Sequence, residues 1–222
     1  MKKNILIAAV ALLALAVSAA ETNSTAGQTE TNYTKAIEGR TADILKVLAL
    51  TDADKAAKVH DVLIAQYRAL KTWHDENDAK LKASAKDTNA LAQIRASLKT
   101  VHNDFIARLS ESLTAFQVEQ VKDKMTYNKV KVTYDAYCDI IPNLTDAQKA
   151  HILATLKEAR EEAMDGGSAD EKSAIFKKYK GRIANYLSKE GVDEGKARKE
   201  WSAKQKAKNA ATAESQTNAP AK

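Results

Sequence analysis

The chain has 222 residues, a formal net charge of +6 and 29% charged residues. Its 7 Gly and 2 Pro are too few for a many-stranded sandwich or barrel, which needs a turn about every ten residues. The composition therefore predicts an all-α protein, and Cys138, the single cysteine, excludes an internal disulfide.

Residues 1–20 have the pattern of a secretory signal peptide. Lys2 and Lys3 precede an apolar run over residues 5–17, and small residues up to Ala20 supply a cleavage site. The run is shorter than the roughly 20 apolar residues of a membrane-spanning helix. We therefore expect a periplasmic or secreted protein whose mature chain has no transmembrane segment.

The segments that flank the predicted helical domain lack apolar periodicity. Residues 21–32 are rich in Thr, Asn and Ser, residues 209–222 have a similar composition, and both are predicted to be disordered. Without Lys2 and Lys3 the formal charge is +4, of which +3 lies in residues 193–222. The nearly neutral body argues against a nucleic-acid partner.

The helical domain is predicted over residues 33–208, and its first helix over residues 33–48. The second begins after Thr51, reaches about residue 86 and carries Trp73 on its apolar stripe. A third has apolar residues at three- or four-residue steps from Leu91 to Leu109.

The fourth predicted helix runs from Thr114 to about Ile140. It is apolar on more than one side, so we expect it to be the central, most buried helix. Its middle, KVKVTY, also alternates as a strand does, so extended structure remains an alternative there.

Glycines end the next two predicted helices. The fifth stops at Gly166 and Gly167, and the sixth stops at Gly191. A marginal last helix over residues 194–208 contains Trp201. Six or seven helices result, arranged as long antiparallel hairpins.

Four helix starts have the spacing of a capping box, in which a hydroxyl and a side chain three residues later cap each other's backbone N–H groups. The pairs are Thr51 with Asp54, Thr114 with Gln117, Thr145 with Gln148, and Ser168 with Glu171.

A partial internal repeat divides the domain into two candidate halves, residues 33–141 and 142–208. Residues 50–56 and 144–150 agree at six of seven positions. Duplication and chance similarity between helix starts both remain open.

Two family resemblances follow from these motifs. Leu113-Thr-Ala-Phe-Gln117 and Leu144-Thr-Asp-Ala-Gln148 resemble the LTxxQ signature of Spy and CpxP type periplasmic proteins. That resemblance implies helical cradles with chaperone or envelope-stress roles.

The stretch from Pro142 to Leu187, which includes LTDAQK, KEARE and IFKKYKGRIANYLS, is more similar to a family of secreted bacterial proteins described as a domain of unknown function. The similarity extends over about residues 33–201 and implies no catalytic residues.

The histidines at positions 60, 74, 102 and 151 form no pair at helical i, i+3 or i, i+4 spacing. No phosphate-binding loop or nucleophile elbow occurs in the sequence. We therefore expect no catalytic, cofactor or metal residues, and a protein that is not an enzyme.

The strongest candidate contact residues lie in the KKYKGR segment. Lys178, Lys180 and Arg182 surround Tyr179 and predict an anion-binding patch for an acidic client or acidic glycan. The alternative explains Gly181 by the close approach of another helix.

Trp73 and Trp201 are the other candidate contact residues. Trp73 continues an apolar stripe, which favours core packing over an exposed platform. Trp201 either docks the last helix or is a free contact residue. Cys138 is interpreted as a small buried apolar residue, with a reactive or dimer-forming thiol as the alternative.

These observations predict an exported helical binding protein, chaperone-like or active in envelope stress, that holds protein clients on an amphipathic face. The alternative is an accessory glycan-associated or structural component of the envelope. The oligomeric state and the ligand do not follow from the sequence.

Overall fold

The computed structural model describes the backbone of residues 8–217 and the side chains of residues 28–210. Residues 1–7 of the predicted signal peptide and 218–222 of the predicted tail lie outside the described residues. All regular elements in the described part are α-helices, which confirms the predicted class. They are α1 (Ala8–Leu48), α2 (Ala53–Ala83), α3 (Thr88–Ser110), α4 (Ala115–Met125), α5 (Lys129–Ile140), α6 (Asp146–Met164), α7 (Ala169–Lys189) and α8 (Glu194–Thr217).

The chain divides into two compact units, residues 1–68 and 69–222. In the first unit, α1 and the beginning of α2 form a hairpin, and the Tyr33 hydroxyl donates to the carbonyl oxygen of Tyr67 at 2.6 Å. Each helix carries buried apolar residues at three- or four-residue steps. They are Ile37, Ile44 and Leu48 on α1, and Val59, Leu63 and Tyr67 on α2.

The core of the second unit is built around α6, which packs against α4, α5 and α7. Ile152, Leu156, Ala159 and Ala163 are fully buried on α6 and confirm the stripe predicted for that helix. The prediction that the segment from Thr114 to Ile140 would be the most buried helix was wrong. Val132 in that segment is 64% exposed.

That segment is also two helices rather than one. Tyr127 and Asn128 adopt left-handed backbone conformations, with φ of 58° and 54°, between α4 and α5. Two consecutive left-handed residues interrupt the hydrogen-bond ladder, and Asn tolerates this conformation better than most residues. The alternative of a strand around residues 129–134 was wrong, because these residues are helical.

Three of the four predicted caps form. Thr114 and Thr145 make capping boxes with Gln117 and Gln148, and the Ser168 hydroxyl accepts from the backbone N–H of Glu171. The prediction for Thr51 was wrong by one residue. Asp52 caps α2 instead, accepting from the Lys55 backbone N–H at 3.0 Å, because its carboxylate suits this position as well as a hydroxyl does.

Both ends of the helical region extend further than predicted. Helical backbone covers residues 21–32 within α1, and α8 continues to Thr217 rather than ending near Lys208. Extending an existing helix adds one hydrogen bond per residue without a new nucleation step. Disorder of these segments in solution stays a prediction.

Trp201 docks α8 onto the body of the second unit. It is half-buried against the apolar cluster of α5, α6 and α7, and its Nε1 donates to a carboxylate oxygen of Asp139 at 2.6 Å. This contact confirms the docked alternative for Trp201. It gives α8, which has little other apolar surface, an anchor on α5.

Candidate functional site

The second unit contains a cleft of about 790 Å³, formed by the end of α2, by α3, by the end of α6 and by the first half of α7. This volume lies within the usual range of small-molecule sites, roughly 300–1,000 Å³. Its apolar lining consists of Trp73, Leu81, Ala85, Leu91, Leu98 and Ile175. Its charged and ionisable lining consists of His74, Arg95, Lys99, His102, Glu161, Glu162, Asp165, Glu171 and Lys178.

His74 lies at the edge of this cleft with two hydrogen-bond acceptors. Its Nε2 is 2.7 Å from the carbonyl oxygen of Asp165, and its Nδ1 is 2.8 Å from a carboxylate oxygen of Asp78. Because a carbonyl and a carboxylate both accept, only the doubly protonated ring satisfies both contacts. Burial lowers the pKa of His74, but the bonds to Asp165 and Asp78 outweigh it and raise the pKa above its ordinary value.

His102 comes to the same point from α3. Its Nδ1 lies 3.0 Å from Oδ2 of Asp165, and its Nε2 lies 3.7 Å from Oε2 of Glu161. The hydrogen bond to Asp165 raises the pKa of His102, whereas burial raises the pKa of Asp165. Both imidazoles therefore keep their protons to a higher pH than a free histidine does. We call this group the histidine cluster: His74, Asp78, His102, Glu161 and Asp165.

The turn after α6 is shaped to admit His74. A Cβ atom on Gly167 would lie 2.9 Å from carbon atoms of the His74 ring, closer than real contacts allow. The Gly167 backbone N–H donates to a carboxylate oxygen of Glu171 at 2.8 Å. Gly167 thus does more than end α6, because it makes room for the ring that fixes the backbone of Asp165.

An ion network behind the cluster joins α6 to α4. The Arg160 guanidinium is only 3% exposed and contacts the carboxylates of Glu119, Asp123 and Glu161. Burial raises the pKa of Glu119, but the contacts with Arg160 outweigh it and lower that pKa overall. Lys122 bonds to Glu161 at 2.9 Å and so connects the network to the histidine cluster.

A buried lysine closes the same region from α7. Lys172 Nζ donates to the carbonyl oxygen of Met125 at 2.9 Å and contacts that of Met164 at 3.5 Å. These are the last residues of α4 and α6, where carbonyl groups lack helical partners and carry partial negative charge. The lysine therefore holds the ends of two helices beside the cleft.

The structure separates the predicted contact residues. Trp73 is 7% exposed, as core packing predicts, and its Nε1 donates to the Ser97 hydroxyl at 2.8 Å. Lys178 contributes to the cleft, while Tyr179, Lys180 and Arg182 are outside its lining. Cys138 is half-buried rather than fully buried.

The KKYKGR segment is largely neutralised by α6. Lys178 bonds to Glu162 at 3.0 Å and Arg182 to Glu158 at 2.9 Å, and both cations lie over the ring of Tyr179. The close helix approach proposed for Gly181 was wrong, because no heavy atom lies within 4 Å of its Cβ position. Binding of an acidic glycan or client by Lys178, Tyr179, Lys180 and Arg182 stays a prediction.

The histidine cluster was missed by the sequence analysis. His74, His102 and Asp165 are far apart in the chain, and no fixed spacing joins them. The one local signal is His74 with Asp78, an i, i+4 pair on one helical face.

The described residues contain no group of three or more His, Cys, Asp or Glu side chains that is arranged to hold a metal ion. The groups in the cleft instead provide hydrogen-bond donors, acceptors and fixed charges. No helix in the described part of the chain has the length and apolar character needed to cross a bilayer.

Comparison with known proteins agrees with the predicted family. No curated protein matches the chain. The family model described as "Protein of unknown function (DUF3826)" matches residues 34–207, which include the whole stretch from Pro142 to Leu187. Since this match spans well over half of its length, the chain belongs to the DUF3826 family.

Proposed function

We propose that this protein is an exported binding protein that holds a small molecule in the cleft of its second unit. The observation that carries the proposal is the cleft itself, whose lining combines half-buried aliphatic residues with charged residues. Apolar walls with a few convergent polar groups are typical of ligand sites. The charged leader and small-residue cleavage pattern of residues 1–20 support export to the periplasm or beyond the cell.

The polar side of the cleft is organised without a ligand. His74 and His102 are both fixed by hydrogen bonds to Asp165, and Glu161 is held by Lys122. Side chains that are already ordered lose little conformational entropy when a ligand binds. This arrangement supports a recognition site better than a surface that must reorganise around each client.

The same contacts favour binding over catalysis. His74 donates from both ring nitrogens, and both ring nitrogens of His102 face carboxylates. A general base needs an unprotonated nitrogen directed at its substrate. Both ring nitrogens of His74 and Nδ1 of His102 are engaged in hydrogen bonds to the protein, so we propose that the ligand is held and not transformed.

The test is calorimetry of the mature protein with a panel of neutral, anionic and cationic small molecules. Ala85 lines the cleft and is exposed, so Ala85→Phe should reduce affinity by about tenfold or more by filling it. Ala83→Phe is the matched control, since Ala83 is exposed but outside the lining, and it should bind normally.

Mass spectrometry of the recovered ligand completes this test. Unchanged ligand supports binding without turnover, and a converted product contradicts it. Equal effects of the two phenylalanine variants, or no binding by any compound in the panel, would remove the cleft as the functional site.

Export is tested separately by sequencing the N-terminus of the protein recovered from the periplasm and medium. A mature chain that begins at Glu21 supports the proposal. An unprocessed chain that stays in the cytoplasm contradicts it.

A chaperone-like role is the second candidate, because α4 and α5 present exposed apolar side chains. Phe116 is 71% exposed and Val132 is 64% exposed. If these residues hold unfolded clients, the Phe116→Ser, Val132→Ser variant should lose most of its ability to slow aggregation of a model client. Val47→Ser, in the first unit, is the control, and retained activity in the double variant would exclude this surface.

A further inference from the structure

We infer that the cleft selects a ligand with a carboxylate attached to an apolar body, and that Arg95 and Lys99 bind the carboxylate. The inference rests on the proposed function, because it requires the cleft to be a small-molecule site. It adds the chemical class of the ligand and the residues that recognise it.

Arg95 and Lys99 differ from Lys178, the third cation that lines the cleft, in having no carboxylate partner in the described part of the protein. They lie one turn apart on α3, both line the cleft, and both are exposed. Within the described residues neither has a carboxylate within 4.0 Å, whereas Lys178 pairs with Glu162 at 3.0 Å. Two adjacent cations that are not neutralised by the protein are suited to an anion, and a guanidinium matches the two oxygens of a carboxylate.

The acidic residues of the cleft do not compete for those cations. Asp165 is bonded to His102, and Glu161 to Lys122. Glu162 is paired with Lys178, and Glu171 accepts from the Gly167 backbone. Because all four carboxylates are engaged elsewhere, the positive charge of Arg95 and Lys99 remains available to a ligand.

The apolar body of the ligand is indicated by the residues beside the two cations. Leu91 and Leu98 share the cleft-facing side of α3 with Arg95, since these residues are spaced at i, i+4 and i+7. Leu81 and Ile175 extend the aliphatic lining from α2 and α7, and all four aliphatic side chains are half-buried rather than enclosed in the core. A ligand with an apolar chain next to its carboxylate would cover this surface.

The experiment measures ligand binding by the change in the fluorescence of Trp73. Trp73 lines the cleft, and the chain has only one other tryptophan, so the Trp201→Phe variant of the mature protein reports on the cleft alone. The probes are octanoate, octanol and octylamine, which share one apolar chain, and glucuronate, which carries the carboxylate on a polar sugar. We expect octanoate to bind at least about tenfold more tightly than any of the other three.

The variants separate the charge from the apolar contact. Arg95→Gln combined with Lys99→Gln should remove the advantage of octanoate over octanol, while Arg108→Gln, an exposed control on the same helix, should keep it. Leu98→Ala should weaken octanoate and octanol alike. Circular dichroism of each variant verifies that these surface changes leave the fold intact.

The outcomes distinguish this inference from the proposed function. Equal binding of octanoate and octanol, or an unchanged preference in the Gln variant, overturns the carboxylate assignment and leaves the cleft as a binding site. Tighter binding of glucuronate than octanoate overturns the apolar body. If none of the four probes binds, the inference is overturned, and the wider calorimetric panel then decides whether the cleft binds any small molecule.

Discussion

The imidazole of His74 and the backbone carbonyl of Asp165 are joined by a hydrogen bond of 2.7 Å across 91 positions of sequence. The bond fixes the end of α6 against α2. It also places the Asp165 carboxylate where His102 of α3 reaches it. Three helices of the second unit therefore meet at one residue, and the cleft opens beside that point.

Replacement of His74 by Phe should destabilise the protein by about 3 kcal/mol or more. The change keeps an aromatic ring but removes two hydrogen bonds from a side chain that is 8% exposed, and hydrogen bonds that involve charged groups contribute about 1.5–3 kcal/mol each. Urea denaturation measures the loss. His151→Phe is the control, because His151 is exposed and stacked on Tyr186, and its cost should stay below about 0.5 kcal/mol. Equal costs would contradict a special role for His74.

Stability should decrease as the pH rises above about 6.5. The pKa values of His74 and His102 are raised in the folded protein, so their contribution is complete below the ordinary value of 6.5 and is lost as the pH rises through the folded values. The charged groups that face the two imidazoles are Asp78 on α2, Lys122 on α4, Glu161 and Asp165 at the end of α6, and Glu171 on α7.

Thermal unfolding between pH 6 and pH 9 measures this dependence. The His74→Phe, His102→Asn double variant should show a clearly flatter profile than the natural protein. His60→Asn should change the profile less, because His60 is 36% exposed and its ion pairs are screened by solvent. A natural protein that gains stability over this range would contradict the prediction.

Replacing Arg160 should destabilise the protein whether the substitution removes the positive charge or only the guanidinium group. Arg160→Met leaves Glu119 and Asp123 without their partner and should cost about 3 kcal/mol, somewhat less than a fully buried pair because both carboxylates are partly exposed. Arg160→Lys keeps the charge but replaces the guanidinium with a single ammonium group, which cannot reproduce all three carboxylate contacts. The free energy of unfolding should therefore fall by about 1–2 kcal/mol. Chemical denaturation distinguishes the two variants. If Arg160→Met is as stable as the natural protein, the ion network does not contribute to stability.

The helix caps predict different costs at three similar motifs. Thr114→Ala and Thr145→Ala should each cost about 1 kcal/mol, because each removes an observed capping bond. Thr51→Ala should cost less than about 0.5 kcal/mol, whereas Asp52→Ala should cost about 1 kcal/mol, because Asp52 is the residue that caps α2. Equilibrium unfolding of the four variants tests this order, and a larger loss at Thr51 than at Asp52 would reverse our assignment.

Two glycines should respond to alanine in opposite directions. Gly181 lies inside α7 with nothing within 4 Å of its Cβ position, so Gly181→Ala should stabilise by about 0.5–1 kcal/mol. Gly167→Ala places a methyl group against the His74 ring and should destabilise by about 1–3 kcal/mol. The melting temperature should rise above that of the natural protein for Gly181→Ala and fall below it for Gly167→Ala. If Gly167→Ala is neutral, the His74 ring moves more freely than we infer.

The sequence alone determined the helical class, most helix boundaries and three caps. These features depend on residues within one or two turns of each other, such as Thr145 with Gln148, or Ile152 with Leu156. In KVKVTY the local pattern fits both a strand and a helix, so it does not distinguish between them. The local pattern also did not predict the left-handed turn at Tyr127 and Asn128. Local periodicity measures which side of a helix is apolar, but not how much surface its neighbours cover.

Only the tertiary structure decided which polar residues meet. His74 of α2 and His102 of α3 both bond to Asp165 at the end of α6. Arg160, which has the sequence context of a surface cation, is buried where α6 packs against α4. A charged group can be buried only where oppositely charged or hydrogen-bonding partners compensate for its lost hydration, and most of those partners lie on other helices. The local sequence therefore determined the helices, whereas contacts between distant segments determined the cleft and its charges.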